Sequence, residues 1–310
     1  MKTQLPLTYE NYIFDLYGTL VDIHTDESLP ALWEKMSFFY GYYGARYTPD
    51  ELRMTWNRLT EHYRQEAAEN TGRAAQGYEA NPAAAQCVAL SSSRLRPAAD
   101  AQRGGVSTEI EIDLTCVIQA LYSRKGVTAS RELAVHTGQF FRVLSTEYIR
   151  LYDGTVPMLE RLRANGKKVW LLSNAQRIFT QYELCLLDLE RHFDGILISS
   201  DYGAGKPNPF FFQQLIEQFG IDFSRSLFIG NDAVNDIGGA QGVGLDSFYV
   251  HSNLSFVEPS WVEAAPLQSC KKQRKASAVC KTTARKEASP MQFRLGGTTN
   301  YTVLNFTAWA

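Results

Sequence analysis

The alternation of helical and short apolar segments between residues 153 and 251 constrains the fold more than any other feature of the sequence. Short segments rich in aromatic, leucine and β-branched residues follow segments of helical period, which is typical of βαβ units and a parallel sheet. The sequence therefore predicts an α/β fold. The predicted elements are helix 156–165, strand 168–173, helix 178–187, strand 195–199, helix 209–219, strand 226–230, helix 235–242 and strand 247–251.

An earlier apolar segment, residues 11–16, is expected to be a strand of the same sheet. The residues after it become helical in character, and Thr48-Pro49-Asp50-Glu51 combines a capping box with proline at the first helical position. The block 23–149 is therefore predicted to be a helical insertion after the first strand. Its predicted helices are 29–43, 49–69, 113–125 and 130–149.

Two stretches, residues 70–107 and 258–310, have neither helical nor strand period. The first is rich in alanine, serine and arginine, and the second is basic, so a disordered or aberrant insert and a disordered tail are predicted. A tail that binds nucleic acid or a membrane surface is an alternative, although no binding motif is interleaved with its charges. Out-of-frame translation of both stretches is another alternative, which the coding DNA would test.

The composition of the chain is that of an ordinary soluble globular protein, with 310 residues, a formal net charge of -2 and 45% hydrophobic residues. No general excess of charge points to nucleic acid or membrane. No run of about 18 apolar residues could span a bilayer, and residues 1–10 do not resemble a secretory signal. The five cysteines show no C-x-x-C spacing, so free thiols in a reducing cytoplasm are expected.

Polar residues follow the predicted strands at their carboxyl ends, where ligands bind in open parallel sheets. Asp15 ends the first strand before a Gly-Thr turn, whose backbone N–H groups suit a nucleophilic carboxylate facing an anionic substrate. Each such residue alone has a structural explanation, such as a helix cap or a surface lysine, but their joint order favours one common site. The other members are Ser173, Asn174, Lys206, Asp232 and Asp236.

These residue types suit covalent catalysis on an anionic group. Lys206 would neutralise the charge of the nucleophile and of the reacting group. An acidic residue of the last cluster, Asp232 or Asp236, could hold Mg²⁺ together with Asp15, because Mg²⁺ prefers a few carboxylates plus water and substrate oxygens.

The motifs D-x-x-G-T-L, S-N, K-P-x-P and G-N-D-x-x-x-D, in this order, resemble those of the haloacid dehalogenase-like (HAD) hydrolase superfamily. The resemblance covers residues 11–22 and about 150–251, and the helical block lies where that superfamily has a type-1 cap. It implies a Rossmann-like core, residues 1–22 and 150–257, with an inserted α-helical cap, 23–149. It also implies an aspartyl covalent intermediate and, usually, Mg²⁺.

The resemblance further implies roles for single residues. By its place in the motifs, Asp15 looks like the nucleophile, Thr19 belongs to the turn of the first motif, and Lys206 looks like the third-motif lysine. The implied substrate-binding residues are Tyr17, Ser173 and Asn174, and the implied metal site consists of Asp15, the backbone carbonyl of Tyr17, Asp232 and Asp236.

Tyr17 departs from the pattern of the superfamily's phosphatases, which usually carry a second aspartate two residues after the nucleophile. That aspartate acts as general acid and then as general base, whereas a phenol with an unperturbed pKa near ~10 is a poor base. The motif F-D-x-Y-G-T-L resembles the 2-haloacid dehalogenase branch, in which the leaving halide needs no proton. Against that branch, Trp33 is followed by Glu34 rather than by a cap arginine, and the fourth motif is acidic.

The predicted function is a Mg²⁺-dependent HAD-type phosphatase that acts on a small phosphorylated metabolite. The alternatives are a 2-haloacid dehalogenase-like hydrolase and a catalytically weak binding or regulatory protein of the same fold. The expected partner is a small anionic molecule, with no membrane and no nucleic acid. Candidates for substrate recognition in the cap are Trp33, Tyr40, Tyr43 and Arg46.

Overall fold

A computed structural model of the chain describes residues 5–75, 110–255, 291–295 and 302–304. In chain order the strands are β1 (Asn11–Phe14), β2 (Val21–Thr25), β3 (Thr146–Leu151), β4 (Lys168–Ser173), β5 (Gly195–Ile198), β6 (Ser226–Gly230), β7 (Asp246–His251), β8 (Met291–Leu295) and β9 (Thr302–Leu304). The α-helices are α1 (Pro30–Tyr42), α2 (Pro49–Ala75), α3 (Leu114–Arg124), α4 (Arg131–Ser145), α5 (Thr155–Ala164), α6 (Arg177–Leu186), α7 (Pro209–Phe219) and the short α8 (Gly239–Gly242).

The core is a sheet in the order β5-β4-β1-β6-β7-β8-β9, and its first five strands are parallel. The first strand, β1, lies at the centre of these five, with Phe14 opposite Leu171 of β4 and Ile229 of β6. The predicted α/β fold with a Rossmann-like parallel sheet is confirmed. Residues at the carboxyl ends of β1, β4 and β6, where ligands bind in open parallel sheets, are therefore neighbours by topology.

Helices cover both faces of this sheet, and the side chains of β1 alternate between the two layers. Tyr12 and Phe14 pack into one apolar layer with Leu159 of α5. Ile13 points into the other layer with Phe211 and other residues of α7. Strands buried on both faces are typical of parallel sheets. The apolar residues of β1 end at Phe14, so Asp15 is the first residue beyond the strand.

The inserted block between β2 and β3 forms a helical cap, made of helices α1 to α4, whose apolar core also includes Ile178 and Phe179 of α6. Its centre is aromatic, since Trp33 contacts both Trp56 and Phe141. The predicted insertion of an α-helical cap after the first strand is therefore confirmed as part of the fold class. Tyr40, a predicted substrate-recognition residue, is fully buried in this core rather than facing a ligand.

The two chain segments that join cap and core form an antiparallel ribbon, β2 with β3. This differs from the prediction of helical structure from residue 23 and of a helix reaching residue 149, because α4 ends at Ser145. The segment Thr146–Leu151 is rich in residues that favour strands and finds its partner more than a hundred residues earlier in the chain. A pattern within one segment does not reveal such a distant partner.

Other boundaries differ less. Helix α2 continues to Ala75, past the predicted end at residue 69 and into the patternless stretch 70–107, whose residues 76–107 lie outside the described ranges. The predicted helix 235–242 is a π-helix, Ala233–Gly238, followed by α8. Strands β8 and β9 lie within the stretch 258–310, where no strand was predicted. No helix within the described ranges is long and apolar enough to cross a membrane.

Candidate active site

Asp15 is the first residue after β1 and is almost completely buried, with 7% of its surface exposed. Its backbone N–H donates to the carbonyl of Ile229 at 2.9 Å, which continues the pairing of β1 with β6. The chain then turns through Gly18 at φ 83°, a conformation that favours glycine. A Cβ atom at Gly18 would lie 2.2 Å from the side-chain amide of Asn231, so this turn also requires a residue without a side chain.

Lys206 links two carboxylates in the interior of the protein. Its Nζ donates to Asp15 Oδ1 at 2.7 Å and to Asp236 Oδ1 at 2.6 Å, and the lysine is fully buried. Burial by itself lowers the pKa of Lys206, but the charges of Asp15 and Asp236 outweigh it, so the net pKa is raised. Burial and the charge of Asp15 raise the pKa of Asp236. The ammonium therefore stays charged and holds Asp15 in place.

Asn174 positions the lysine through its backbone. The side-chain Nδ2 donates to the carbonyl of Lys206 at 2.8 Å, and the N–H of Lys206 donates to Asn174 Oδ1 at 2.7 Å. The preceding residue, Ser173, ends β4, and its buried hydroxyl has no hydrogen-bond partner among the described residues. An unpartnered buried hydroxyl is costly, which suits a donor reserved for a ligand.

Asn231, the first residue after β6, faces the nucleophile. One terminal amide atom of this side chain lies 3.0 Å from the Tyr17 carbonyl oxygen, 3.3 Å from Asp15 Oδ2 and 3.2 Å from Thr19 Oγ1. If that atom is the amide nitrogen, it donates to these oxygens. If it is the amide oxygen, it accepts from Thr19 Oγ1 and lies beside the oxygens of Asp15 and Tyr17, an arrangement that suits a cation. These two amide orientations correspond to two different chemistries of the site.

The carboxylate of Asp232 is directed elsewhere. Its Oδ1 accepts from the backbone N–H groups of Val234 and Asn235, and its Oδ2 accepts from Asn235 Nδ2. It thus caps the following π-helix. The described residues contain no group of three or more His, Cys, Asp or Glu side chains that could hold a metal ion. Asp232 therefore points away from Asp15, whereas one terminal amide atom of Asn231 lies within 3.3 Å of both Asp15 Oδ2 and the Tyr17 carbonyl oxygen.

Tyr17 is held by a network that includes the cap. Its hydroxyl donates to Glu183 Oε2 and lies 3.0 Å from Thr180 Oγ1, both on α6. The other oxygen of Glu183 accepts from Nε of Arg142, on cap helix α4, at 2.6 Å. Burial and the nearby charge of Glu183 raise the pKa of Tyr17 far above its ordinary value. The phenol is therefore a structural donor and does not ionise near neutral pH.

A cavity of about 380 Å³ lies between cap and core beside this network. Tyr17 and Asn174 line it on the core side, and Trp56, Phe141 and Phe179 form an aromatic wall. Arg142 and Arg64 of the cap also line it. The cap residues predicted to recognise substrate are not among the lining residues of this described cavity. Trp33 and Tyr40 pack in the cap core, and Tyr43 and Arg46 are exposed elsewhere.

The structure brings most of the predicted site residues together but separates one. Five residues absent from the predicted set also contact the site or its cavity. Asn231 could have been predicted from the sequence, because it follows β6 as Asp15 follows β1. The other four residues are brought to the site by long-range contacts that no sequence motif indicates. The residues brought together are Asp15, Tyr17, Thr19, Asn174, Lys206 and Asp236, with Ser173 on the neighbouring strand end; the one directed away is Asp232; the added ones are Asn231, Glu183, Thr180, Arg142 and Arg64.

Comparison with known proteins supports a single family. A family model described as haloacid dehalogenase-like hydrolase matches residues 9–244, well over half of the chain. The matched range includes the parallel sheet from β1 to β6, the cap and every site residue named above.

Two curated relatives are a phosphatase and a nucleotidase by name. The chain is 30% identical over 115 residues to a glyceraldehyde 3-phosphate phosphatase of Methanothermobacter thermautotrophicus, covering 37% of this chain and 51% of that one. It is 33% identical over 113 residues to the pyrimidine 5'-nucleotidase YjjG of Escherichia coli, covering 35% and 50%. The chain thus matches about half the length of these relatives.

The solved structure of a 2-haloacid dehalogenase from Pseudomonas syringae pv. tomato is similar over 77% of this chain and 85% of that one, with 16% identity and a TM-score of 0.46.

Proposed function

The chain belongs to the haloacid dehalogenase-like hydrolase family, and from this premise we propose that it is a phosphatase that uses Asp15 as its nucleophile on a small phosphorylated compound. One observation carries the proposal: the Lys206 ammonium bridges Asp15 and Asp236 at the edge of the sheet where β1, β4 and β6 end. The names of the phosphatase relatives support the choice of a phosphate ester as substrate.

The chemistry follows from what surrounds Asp15. An oxygen of the carboxylate attacks phosphorus, the bond from phosphorus to the ester oxygen breaks, and water later hydrolyses the aspartyl phosphate. Lys206 holds the Asp15 carboxylate in place and offsets the negative charge that gathers on the phosphoryl group. Thr19, whose hydroxyl lies 3.3 Å from Asp15 Oδ2, orients the nucleophile. The Ser173 hydroxyl is available as a donor to a phosphoryl oxygen.

Mg²⁺ belongs to this proposal, with a revised set of ligands. The phosphatases of this family generally use Mg²⁺, which would stabilise the charge of the transferring group. In this chain the oxygens that could hold it are Asp15 Oδ2, the carbonyl of Tyr17 and the amide oxygen of Asn231. Two such protein ligands plus waters and substrate oxygens suffice for this ion. Asp232 is left with a capping role in the same proposal.

A dehalogenase-like hydrolysis is the second candidate, and the other orientation of the Asn231 amide favours it. In that orientation its nitrogen donates to Asp15 Oδ2 and to the Tyr17 carbonyl, so both oxygens are satisfied without a metal. Tyr17, bound to Glu183, supplies no proton to a leaving group. Displacement of a halide at carbon needs neither a metal nor a proton donor.

One pair of assays separates the two candidates. The purified protein is incubated with p-nitrophenyl phosphate and Mg²⁺, and in parallel with 2-chloropropionate and EDTA. Phosphate release that disappears with EDTA and in Asp15→Asn supports the phosphatase; chloride release in EDTA supports the dehalogenase. Turnover of neither substrate by folded protein rejects both and favours a binding or regulatory role.

The cellular setting is also part of the proposal. Within the described ranges Cys116 and Cys185 are free thiols, as expected for a reducing compartment such as the cytoplasm. A small phosphorylated compound is the proposed partner, since the cavity is of the size that small ligands occupy.

A further inference from the structure

We infer that Gln176 is a positioning residue for the proposed reaction, because it binds a segment of the cap, residues 110–114, that in turn supports the loop carrying Lys206. The inference rests on the proposed function, since it takes Lys206 to act on the nucleophile and on the phosphoryl group. Two core loops are involved: the β4 loop, residues 174–176, and the lysine loop, residues 199–206.

Gln176 occupies the N-cap position of α6, yet its side chain makes no capping hydrogen bond to that helix. Its Oε1 instead accepts from the N–H of Leu114 at 3.0 Å, and its Nε2 donates to the carbonyl of Ile112 and to Glu111 Oε1, both at 2.8 Å. Leu114 is the first residue of α3, so its N–H has no acceptor within that helix. One core side chain therefore satisfies three polar groups of the cap segment.

The same cap segment also contacts the lysine loop. The backbone N–H of Glu111 donates to the carbonyl of Gly203 at 3.3 Å, and Ile110 forms an antiparallel β-bridge with Ala204. Ala204 lies two residues before the lysine. The cap segment thus contacts both core loops, and Gln176 is its attachment to the β4 loop.

The two loops meet at Asn174 and Lys206. Asn174 forms two hydrogen bonds with the backbone of Lys206, at 2.7 and 2.8 Å, and a Cβ atom at Gly205 would lie only 2.7 Å from Asn174 Oδ1. The Nζ of the same lysine donates to Asp15. A displacement of either loop would therefore move the ammonium relative to the nucleophile, and misplacement by about 1 Å can lower a rate about 100-fold.

The amide of Gln176 acts on the protein and not on a ligand. Gln176 lines the cavity between cap and core. A primary amide has two N–H donors, and Nε2 already makes two hydrogen bonds to the cap segment. Loss of this side chain should therefore lower kcat and leave KM nearly unchanged.

Other hydrogen bonds hold the two loops together when the Gln176 side chain is absent. The N–H of Ala175 donates to Ser199 Oγ at 2.9 Å. The N–H of Arg177 donates to Ser200 Oγ at 2.9 Å. Removal of the Gln176 side chain should therefore shift the lysine loop without unfolding the protein.

Steady-state kinetics of Gln176→Ala with p-nitrophenyl phosphate and Mg²⁺ test the inference. We expect kcat to fall about tenfold or more and KM to stay within about threefold, because the lysine is displaced and no contact to substrate is lost. The control is Gln119→Ala, which removes a glutamine bonded to the carbonyl of Ala129 inside the cap, and kcat should stay within about threefold. Rates are measured below the melting transition of every variant, so that a loss of stability alone does not change them.

A double variant tests whether the contact with the cap segment is the cause. Gln176→Glu places a carboxylate against Glu111 and should lower kcat at least as much as alanine does. Gln176→Glu/Glu111→Gln restores a donor opposite that carboxylate, so kcat should rise about threefold or more above that of Gln176→Glu. A double variant no faster than Gln176→Glu would contradict a role for this contact.

Hydrogen–deuterium exchange follows the lysine loop without turnover. Gln176→Ala should accelerate amide exchange in residues 199–206 about threefold or more over the wild type, and Gln119→Ala should not. Unchanged exchange in this loop would overturn the inference, as would a kcat of Gln176→Ala within about threefold of the wild type or a rise in KM alone. If the wild-type protein hydrolyses no phosphate ester, the proposed phosphatase fails, and the exchange result then decides by itself whether Gln176 holds the lysine loop.

Discussion

At the scale of single residues, Tyr17 decides which leaving groups the site can expel. Its hydroxyl is committed to Glu183 and Thr180, and its pKa is raised by burial and by the charge of Glu183. A group in this state neither protonates an alkoxide nor activates water near neutral pH. Substrates with a good leaving group should therefore be favoured over simple alkyl phosphates.

Tyr17→Phe is expected to lower stability more than it lowers turnover. Loss of the hydroxyl leaves the buried Glu183 with one donor fewer, at a cost of about 1–3 kcal/mol. Turnover of p-nitrophenyl phosphate should fall by less than about tenfold, well short of the 10²–10⁴-fold typical of a lost general acid. Urea unfolding and a pH–rate profile measure the two effects. A larger loss of turnover, with loss of one limb of the profile, would mean that Tyr17 transfers a proton.

At the scale of elements, the ends of β1, β4 and β6 place the site, and the helices that follow determine which side chains point into it. Asn231 and Asp232 are consecutive polar residues after β6, yet only Asn231 faces Asp15, because Asp232 accepts the first N–H groups of the π-helix. Which of the two side chains faces Asp15 depends on where β6 ends and on which residue caps the N-terminus of the π-helix. The backbone geometry determines the end of the strand and the position of the helix cap, and the residue types alone do not.

Substitutions at these two positions should separate metal binding from capping. Asn231→Ala should weaken Mg²⁺ binding about tenfold or more, because it removes one of the three protein oxygens of the proposed Mg²⁺ site. Asp232→Ala should leave the Kd for Mg²⁺ within about threefold and lower the free energy of unfolding by about 1 kcal/mol through loss of the cap. Calorimetric titration and urea unfolding provide the two numbers. The reverse pattern would restore Asp232 as the metal ligand.

The turn between α6 and β5 contains a pH-sensitive residue away from the site. His192 is buried, its Nε2 has no hydrogen-bond partner among the described residues, and burial lowers its pKa. The unfolded chain, with an ordinary histidine pKa of about 6.5, then binds more protons than the folded chain in mildly acidic solution. Stability should therefore be fully present above about pH 6.5 and decline as the pH falls through the lowered pKa.

His192→Asn should flatten this dependence. The wild-type Tm should fall between about pH 7 and pH 5, and the slope should be smaller in the variant, whatever its absolute stability. Differential scanning fluorimetry across this range suffices. Parallel slopes for the two proteins would show that other groups cause the decline.

The sequence predicted the elements of the parallel sheet closely because each strand and helix carries its own period and its own turn residues. The strands predicted at 168–173 and 226–230 coincide with β4 and β6. It did not predict the β2–β3 ribbon or the Arg142–Glu183 pair. Those features depend on segments that meet only after the cap has folded, and a local pattern has no information about them.

At the scale of the whole molecule, the cap and the core are joined by the β2–β3 ribbon, and Asp22 is its central acceptor. Asp22 is buried and accepts from Arg150 Nη2 at 2.8 Å and from Asn253 Nδ2 at 2.9 Å. One carboxylate thus ties β2, β3 and the loop after β7 together. Together with Arg142–Glu183, this contact sets how the cap sits over the nucleophile.

Asp22→Ala should loosen the junction without unfolding the core. Asp22 is buried, but its donors Arg150 and Asn253 are exposed to solvent, so the loss of its hydrogen bonds should cost only about 1 kcal/mol. Amide exchange should rise in β2, β3 and the adjoining cap helices more than in β1 and β4. Hydrogen–deuterium exchange with mass spectrometry maps the change. Glu10→Ala, which removes an exposed ion pair with Arg225, is the matched control and should cost less than about 0.5 kcal/mol. Uniform acceleration across core and cap would contradict a local role for Asp22.

Asp15 is expected to become covalently phosphorylated during turnover. Rapid acid quenching of the protein during hydrolysis of p-nitrophenyl phosphate, followed by reduction with borohydride and peptide mass spectrometry, detects an acyl phosphate as its reduced alcohol. This product should appear at Asp15, depend on Mg²⁺ and be absent from Asp15→Asn. Hydrolysis that proceeds with Asp15 unmodified, or that persists undiminished in Asp15→Asn, would contradict it.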